Sequence, residues 1–154
     1  MDETLIVNPE KVRVEPELKF PHNLRYRERL RLGTPALLNK IRDSGINLWI
    51  YTTSFRSEHY IRGLFKHYGV KLDRVINGQT HQNDVQRNFK EILPSKMPSR
   101  YRIDLHVDDE LSVKQYGDIY GFKMFLLNEE NPDWAEQLWA VIEKLRAKIA
   151  KQPN

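Results

Sequence analysis

The sequence predicts an α/β protein, a three-layer α/β/α sandwich on a mostly parallel sheet, and three observations predict it. From Ile46 to the end, short apolar runs alternate with stretches that repeat their apolar residues at helical spacing. One of them, Ile46 to Tyr51, reads as a buried parallel strand. Several of them empty into polar clusters, Thr52-Thr53-Ser54 and Asp108-Asp109, where the carboxyl ends of parallel strands gather ligands. A chain of 154 residues is one domain's worth, and no repeat, low-complexity tract or linker divides it.

Taken in order, Thr34 to Ser44 sets Leu37, Leu38 and Ile41 on one helical face, with Thr34 as N-cap, Pro35 at the first helical position and Gly45 as the stop. Ile46 to Tyr51 reads as a buried strand. Ser57 to Tyr68, closed by Gly69, reads as a helix with Ile61, Leu64 and Phe65 inward, and Arg74 to Asn77 as a brief strand. After a looser stretch, Arg102 to Val107 is a strand, Leu111 to Tyr120 a helix and Phe122 to Leu127 a strand. Pro132 to Lys148 is a long amphipathic helix carrying Trp134, Leu138, Trp139, Ile142 and Leu145. The front differs. Leu24 to Leu32 alternates strictly, with Arg25, Arg27, Arg29 and Arg31 on one face, and Val12 and Val14 alternate likewise, so residues 11–32 are expected to form a hairpin or flap.

Composition narrows the function classes. The chain is 40% hydrophobic and 30% charged, which excludes fibrous and low-complexity classes. It has no cysteine, which excludes disulfide scaffolds, thiolate zinc sites and cysteine nucleophiles. Apolar runs such as Met124 to Leu127 are too short to span a bilayer, and Met1-Asp2-Glu3 is not the start of a signal peptide, so a cytoplasmic protein is expected. A net charge of +4 permits an anionic partner without requiring one.

Asp108-Asp109 at a strand end suits Mg²⁺, which takes one or two carboxylates and leaves its other positions to water and phosphate oxygens; the same pair also suits a solvated turn or helix cap. Hydroxyls at Thr52, Thr53 and Ser54 suit a phosphate ahead of a helix N-terminus, or simply that helix's cap.

Asp2-Glu3-Thr4-Leu5 resembles the back half of the Asp-x-Asp-[Gly/Glu]-Thr-Leu signature of the haloacid dehalogenase superfamily, mostly Mg²⁺-dependent phosphohydrolases. Leu48 to Ser54 looks like the family's second motif, Lys90 lies about where small-capped members carry their lysine, and Val107-Asp108-Asp109 looks like the fourth motif. The resemblance covers essentially the whole chain and implies a Rossmann-like sheet. It implies Asp2 as general acid and base and Thr52 as a hydrogen-bond donor to the transferring phosphoryl. Lys90, with Lys96 as the weaker candidate, would neutralise charge, and Asp108 and Asp109 would hold Mg²⁺. Thr53, Ser54 and Arg56 would contact substrate. Phosphoryl transfer rests mainly on positioning and electrostatic stabilisation, which these residue types supply.

The family's nucleophilic aspartate stands two residues before the acid-base aspartate, which here falls ahead of Met1, and so does the central apolar strand that delivers it. A truncated product, a fold that substitutes a segment such as Lys11 to Glu15, and a non-catalytic derivative are the three explanations. The interval from Leu5 to Thr34 is too short for a large cap, and an uncapped site admits a bulky phosphorylated substrate, a nucleic-acid end or a phosphoprotein. The arginine row would guide such a polyanion, or serve as a charged edge. The rival class is a pseudo-phosphatase that binds phosphate or nucleic acid without turnover. A basic nucleic-acid-binding domain of another kind ranks last, because helix-turn-helix, zinc-finger and aromatic RNA-binding signals are absent.

Overall fold

The computed structural model describes residues 1–88 and 94–151. Lys90 falls outside them. After a short helical turn, α1 (His22–Arg25), strands and helices follow in the order α2 (Thr34–Asp43), β1 (Trp49–Tyr51), α3 (Glu58–His67), β2 (Arg74–Ile76), α4 (Gly78–Asp84), β3 (His106–Asp108), α5 (Leu111–Tyr120), β4 (Met124–Leu126) and α6 (Trp134–Ala150). All helices and strands expected beyond residue 33 are present, with shorter strands. The fold is mixed α/β. Among the described residues the strands form two parallel pairs, β1 with β2 in the register Ile50↔Val75 and β3 with β4 in the register Val107↔Phe125.

Local chemistry explains why the strands start late. Leu48 gives its N–H to the Asp73 carboxylate at 2.7 Å, so the ladder begins at Trp49. Before β3, a 3₁₀ turn over Pro98–Tyr101 ends at Arg102, which holds a left-handed φ of 55° that no strand adopts. The expected strand over Arg102–Val107 therefore begins at His106.

The core lies between the helices and the strand pairs. Leu37, Leu38 and Ile41 of α2 meet Trp134, Leu138 and Ile142 of α6, while Ile61, Leu64 and Phe65 of α3 close over Ile50 and Val75. Gly63 faces this core by necessity: a Cβ there would lie 1.9 Å from the hydroxyl of the buried Tyr26.

The front departs most from expectation. Residues 11–32 do pair with themselves, through an antiparallel bridge of Val14 with Arg31, Glu15 N–H to Leu30 O at 2.8 Å and Leu32 N–H to Arg13 O at 2.9 Å. Leu24 to Leu32 is not one alternating strand, because Pro21 opens α1, which ends at Arg25, and Tyr26 is drawn inward against Tyr60 and His67. The arginines consequently form no row. Arg25 and Arg27 are exposed, Arg29 bonds Glu15 O at 2.7 Å, and Arg31 is 1% exposed. Its guanidinium donates to Thr4 O at 2.9 Å, Glu129 O at 2.9 Å and Glu3 O at 3.4 Å, and lies over the Trp134 ring. Backbone carbonyls at three places satisfy a charge that would otherwise be costly to bury. Because Lys11 to Glu15 engages residues 30–32, that segment does not substitute for a central strand between β1 and β3.

Candidate functional site

The carboxyl ends of β1 and β3 converge on the turn formed by residues 1–6. This turn is closed by Glu3 N–H to Ile6 O at 2.7 Å and Ile6 N–H to Met1 O at 3.0 Å, with Glu3 at a left-handed φ of 59°. Thr52, one residue past β1, is buried and donates its hydroxyl to Asp2 Oδ2 at 3.3 Å while accepting the Ser54 N–H at 3.1 Å. From the other side, Thr4 donates its hydroxyl to Asp109 Oδ1 at 2.6 Å. Asp2, Thr52 and Asp109 are thus tied to one turn although they stand far apart in the chain.

At the end of β3, Asp108 is fully buried and has four partners. Oδ2 receives Lys96 Nζ at 2.5 Å and faces His106 Nε2 at 3.0 Å, and Oδ1 accepts the N–H groups of Asp109 and Glu110 at 3.1 and 3.2 Å. Burial alone would raise its pKa, but the His106 hydrogen bond and the Lys96 charge and hydrogen bond outweigh it and hold Asp108 far below the ordinary carboxylate range. His106 is itself pushed down by burial, more than the Asp108 contact restores, so it stays neutral and donates Nε2–H. The α-amino group of Met1 is lowered by burial and by Lys96 beside it. Its hydrogen-bonding contact is Thr4 Oγ1, at 3.5 Å.

Arg56 is the third cation at this site. Its NH1 bonds Asp2 Oδ1 at 2.7 Å and Ser54 Oγ at 3.0 Å, and its Nε bonds Glu28 Oε1 at 3.2 Å. Asn77 anchors the Arg56 carbonyl at 2.9 Å, and Gly78 N–H bonds Ser54 O at 2.9 Å, so α4's start braces the loop that follows β1. A Cβ at Gly78 would stand 2.5 Å from Thr53 O, which explains glycine there.

Of the residues singled out by the sequence, Asp2, Thr52, Ser54, Arg56, Asp108 and Asp109 meet around the turn, with Thr53 exposed beside them. Lys96 takes the place beside Asp108. Sequence reasoning missed Thr4's bond to Asp109 and the Arg31 clasp. No local signal marked Arg31, since alternation next to the buried Leu30 predicts an outward side chain. Among the described residues no group of three His, Asp or Glu side chains forms a metal cage. Asp109 is half-buried with Oδ1 on Thr4, so it is the carboxylate that could hold Mg²⁺, which can take as few as one; Asp108 is buried with Oδ1 on two backbone N–H groups and Oδ2 on Lys96 and His106.

Compared with protein-family models, curated proteins and solved structures, the chain matches none. No helix among the described residues is long and apolar enough to cross a membrane.

Proposed function

We propose that the chain is a haloacid-dehalogenase-like domain of the small-capped type, with a three-layer Rossmann-like architecture and a Mg²⁺-dependent site for phosphomonoesters. The observation that carries the reading is the convergence of Asp2, Thr52, Lys96, Asp108 and Asp109 from four separate segments onto one turn. Thr52's hydroxyl, now on Asp2, is the donor for a phosphoryl oxygen. Asp2, 41% exposed at its side chain, is placed to give a proton to a leaving group and take one from water. Arg56 sets positive charge beside it, and His106 and Lys96 keep Asp108 ionised. Mg²⁺, held by Asp109 and by Asp108 once it gives up one of its present bonds, would neutralise phosphate oxygens. Thr53, exposed, and Ser54 and Arg56, partly exposed, would contact a bulky phosphorylated substrate, a nucleic-acid end or a phosphoprotein.

Covalent phosphoryl transfer also needs a nucleophilic carboxylate in line with phosphorus, and each carboxylate of the site has another task. The expected behaviour of the 154-residue chain is therefore Mg²⁺-dependent phosphate binding with negligible p-nitrophenyl phosphate hydrolysis. Calorimetric titration of inorganic phosphate with and without Mg²⁺, on wild type, Thr52→Val and Asp109→Asn, tests this. Binding that needs Mg²⁺ and weakens in both variants supports the reading. Absence of Mg²⁺-dependent binding overturns it, and robust hydrolysis would show that a nucleophile stands elsewhere. The second reading, a binding module without turnover, is favoured because Asp2, Asp108 and Asp109 each already have another task among the described residues. It separates from the first if no Mg²⁺-dependent hydrolysis appears when a free carboxylate is supplied.

A further inference from the structure

The end of α3 carries a cluster of basic groups that the site at the turn does not use. His67, its last residue, stacks on His22 of α1 with 3.8 Å between ring centroids and 27° between planes. Partial desolvation lowers the His67 pKa, and the neighbouring charges of His22, Lys66 and Arg25 lower it further. All four side chains are exposed, and none forms an ion pair among the described residues. The carbonyl end of α3 attracts Lys66 and His67. It does not account for His22 and Arg25, which come from another segment and set like charge beside like. Four basic groups gathered without a carboxylate are complementary to an anion.

A line of contacts joins this cluster to the turn. The His67 ring stands 5.2 Å from that of Tyr26, and Tyr26 stands 5.1 Å from Tyr60. The Tyr60 hydroxyl bonds Glu28 and lies 3.3 Å from the Arg25 carbonyl oxygen. Glu28 in turn accepts Arg56 Nε, and Arg56 NH1 reaches Asp2. Residues 25–28 therefore run beside α3, whose ten residues span ~14 Å. The free charges along the line are positive. Arg56 is one-third exposed at the near end, Arg27 is exposed between, and the cluster stands at the far end. Glu28 is engaged by Arg56 and Tyr60, and Glu58 by Arg62. Beside Arg56, Phe55 is 62% exposed, with its Cδ2 and Cε2 edge against Gly78 and the rest of the ring open.

We propose that His22, Arg25, Lys66 and His67 bind a backbone phosphate of a single-stranded nucleic acid, which runs along residues 25–28 to set its terminal phosphate at Thr52 and its last base on Phe55. Cations at intervals and an open aromatic ring are what backbone tracking and base stacking use, and stacking accepts every base. A ligand with several phosphates is required, because a lone phosphate engages one end of the line at a time while a strand engages both. The strand's end point rests on the phosphomonoester reading of the turn; the cation cluster does not.

Fluorescence anisotropy of a labelled oligothymidylate eight nucleotides long, with and without a terminal phosphate, tests this on the whole chain. The strand lacking the terminal phosphate should bind with micromolar affinity at low salt. Three phosphate contacts at ~0.7 each give a fall of ~2 in log affinity per decade of salt. Arg25→Gln combined with Lys66→Gln should weaken binding about tenfold and lower that slope by ~0.7 or more. Lys144→Gln with Lys148→Gln on α6 removes equal charge and should change neither. Phe55→Ala should weaken binding about fivefold or more. Binding should also strengthen as pH falls from ~8 to ~6, because the imidazoles accept protons while Arg25, Lys66, Tyr26 and the phosphodiesters do not titrate there; His67→Asn should reduce that dependence. These side chains are exposed, so Tm should hardly move; should the double variant lose stability, Lys66→Gln alone gives the slope.

With Mg²⁺ present, the terminal phosphate should add affinity. If it adds nothing, the reading of the turn falls and the cluster is upheld as a phosphate subsite. If inorganic phosphate binds with Mg²⁺ but the strand does not bind at millimolar concentration, this proposal alone is overturned. Unchanged affinity and slope in the double variant overturn it as well. So does binding to phosphatidylglycerol vesicles, lost in the double variant, by a chain that ignores the strand, which would assign the cluster and the exposed Phe20 and Leu24 to an anionic lipid surface.

Discussion

Replacing Lys96 by methionine isolates the strongest electrostatic contact of the site. Side-chain exposures of 6% for Lys96 and 1% for Asp108 mean that little water screens the pair. At the observed 2.5 Å, an effective dielectric constant of ~20 gives an attraction of ~7 kcal/mol, against which stands the cost of desolvating both ions. Breaking a buried pair by removing one partner costs ~3 to 5 kcal/mol. Asp108 would still have His106 and two backbone amides, which argues for the lower end, ~3 kcal/mol, or ~6 to 12 °C in Tm for a chain of this length. Urea unfolding followed by tryptophan fluorescence measures it. The pH dependence supplies a second check. Asp108's folded-state pKa is depressed, so its stabilisation is present above the unfolded value of ~3.9 and lost as pH falls through the folded one. Without Lys96 its share of that depression goes while the His106 hydrogen bond stays, and the gap between wild type and variant should narrow as pH drops below ~4 toward the folded value. Adding Asp108→Asn to the variant should recover part of the loss, since no charge is then buried alone. A loss below ~1 kcal/mol at neutral pH, or a gap unchanged at low pH, would refute this account of the site.

Other outcomes follow from single contacts. Arg31→Met leaves three backbone carbonyls without their guanidinium donor and should cost ~2 to 4 kcal/mol by the same urea assay, with Arg31→Lys recovering only a minor part. Gly63→Ala should destabilise by ~1 to 3 kcal/mol through the clash with Tyr26, and Gly63→Ala combined with Tyr26→Phe should lose less than Gly63→Ala alone, as a double-mutant cycle will read out. His106 has its pKa lowered by burial, so the unfolded chain takes up a proton near ~6.5 that the folded chain refuses; stability should fall as pH drops below ~6.5 and level off below the folded pKa, with a shallower slope in His106→Gln.

The helices were legible because each combines period, cap and stop. Ser57 caps α3 by accepting the Tyr60 N–H at 3.2 Å, and Gly69 follows with φ of 77°. Strand ends were not, because Asp73 and Arg102 end or delay pairing through contacts that no local period encodes. The arginine series misled for a related reason. Alternation specifies a strand only when both faces have uniform surroundings, and here Tyr26 is pulled toward Gly63 while Arg31 is pulled toward Trp134. At the site, Thr52 and the aspartate pair could be read from residue type at strand ends, and Asp2 only through the likeness of Asp2-Glu3-Thr4-Leu5 to a known signature. Lys96's role could not, because its partner depends on how the chain returns from Pro98 to β3. Arg56, expected on substrate, spends NH1 and Nε on Asp2, Ser54 and Glu28.

The contacts that organise residues 1–6 join positions separated by 27, 54, 98 and 105 residues, through Arg31 to Thr4, Arg56 to Asp2, Arg31 to Glu129 and Thr4 to Asp109. Closing loops of that length must follow the formation of local helices, because chain entropy is spent before these contacts return anything. The site is thus a late product of folding. Substitutions in it should change how fast the protein unfolds far more than how fast it folds, whereas substitutions inside α2, α3 or α6 should act on the folding rate. Order around Asp2 therefore reports on the completion of the whole chain's assembly, and the turn will be among the first parts to open when that assembly is strained.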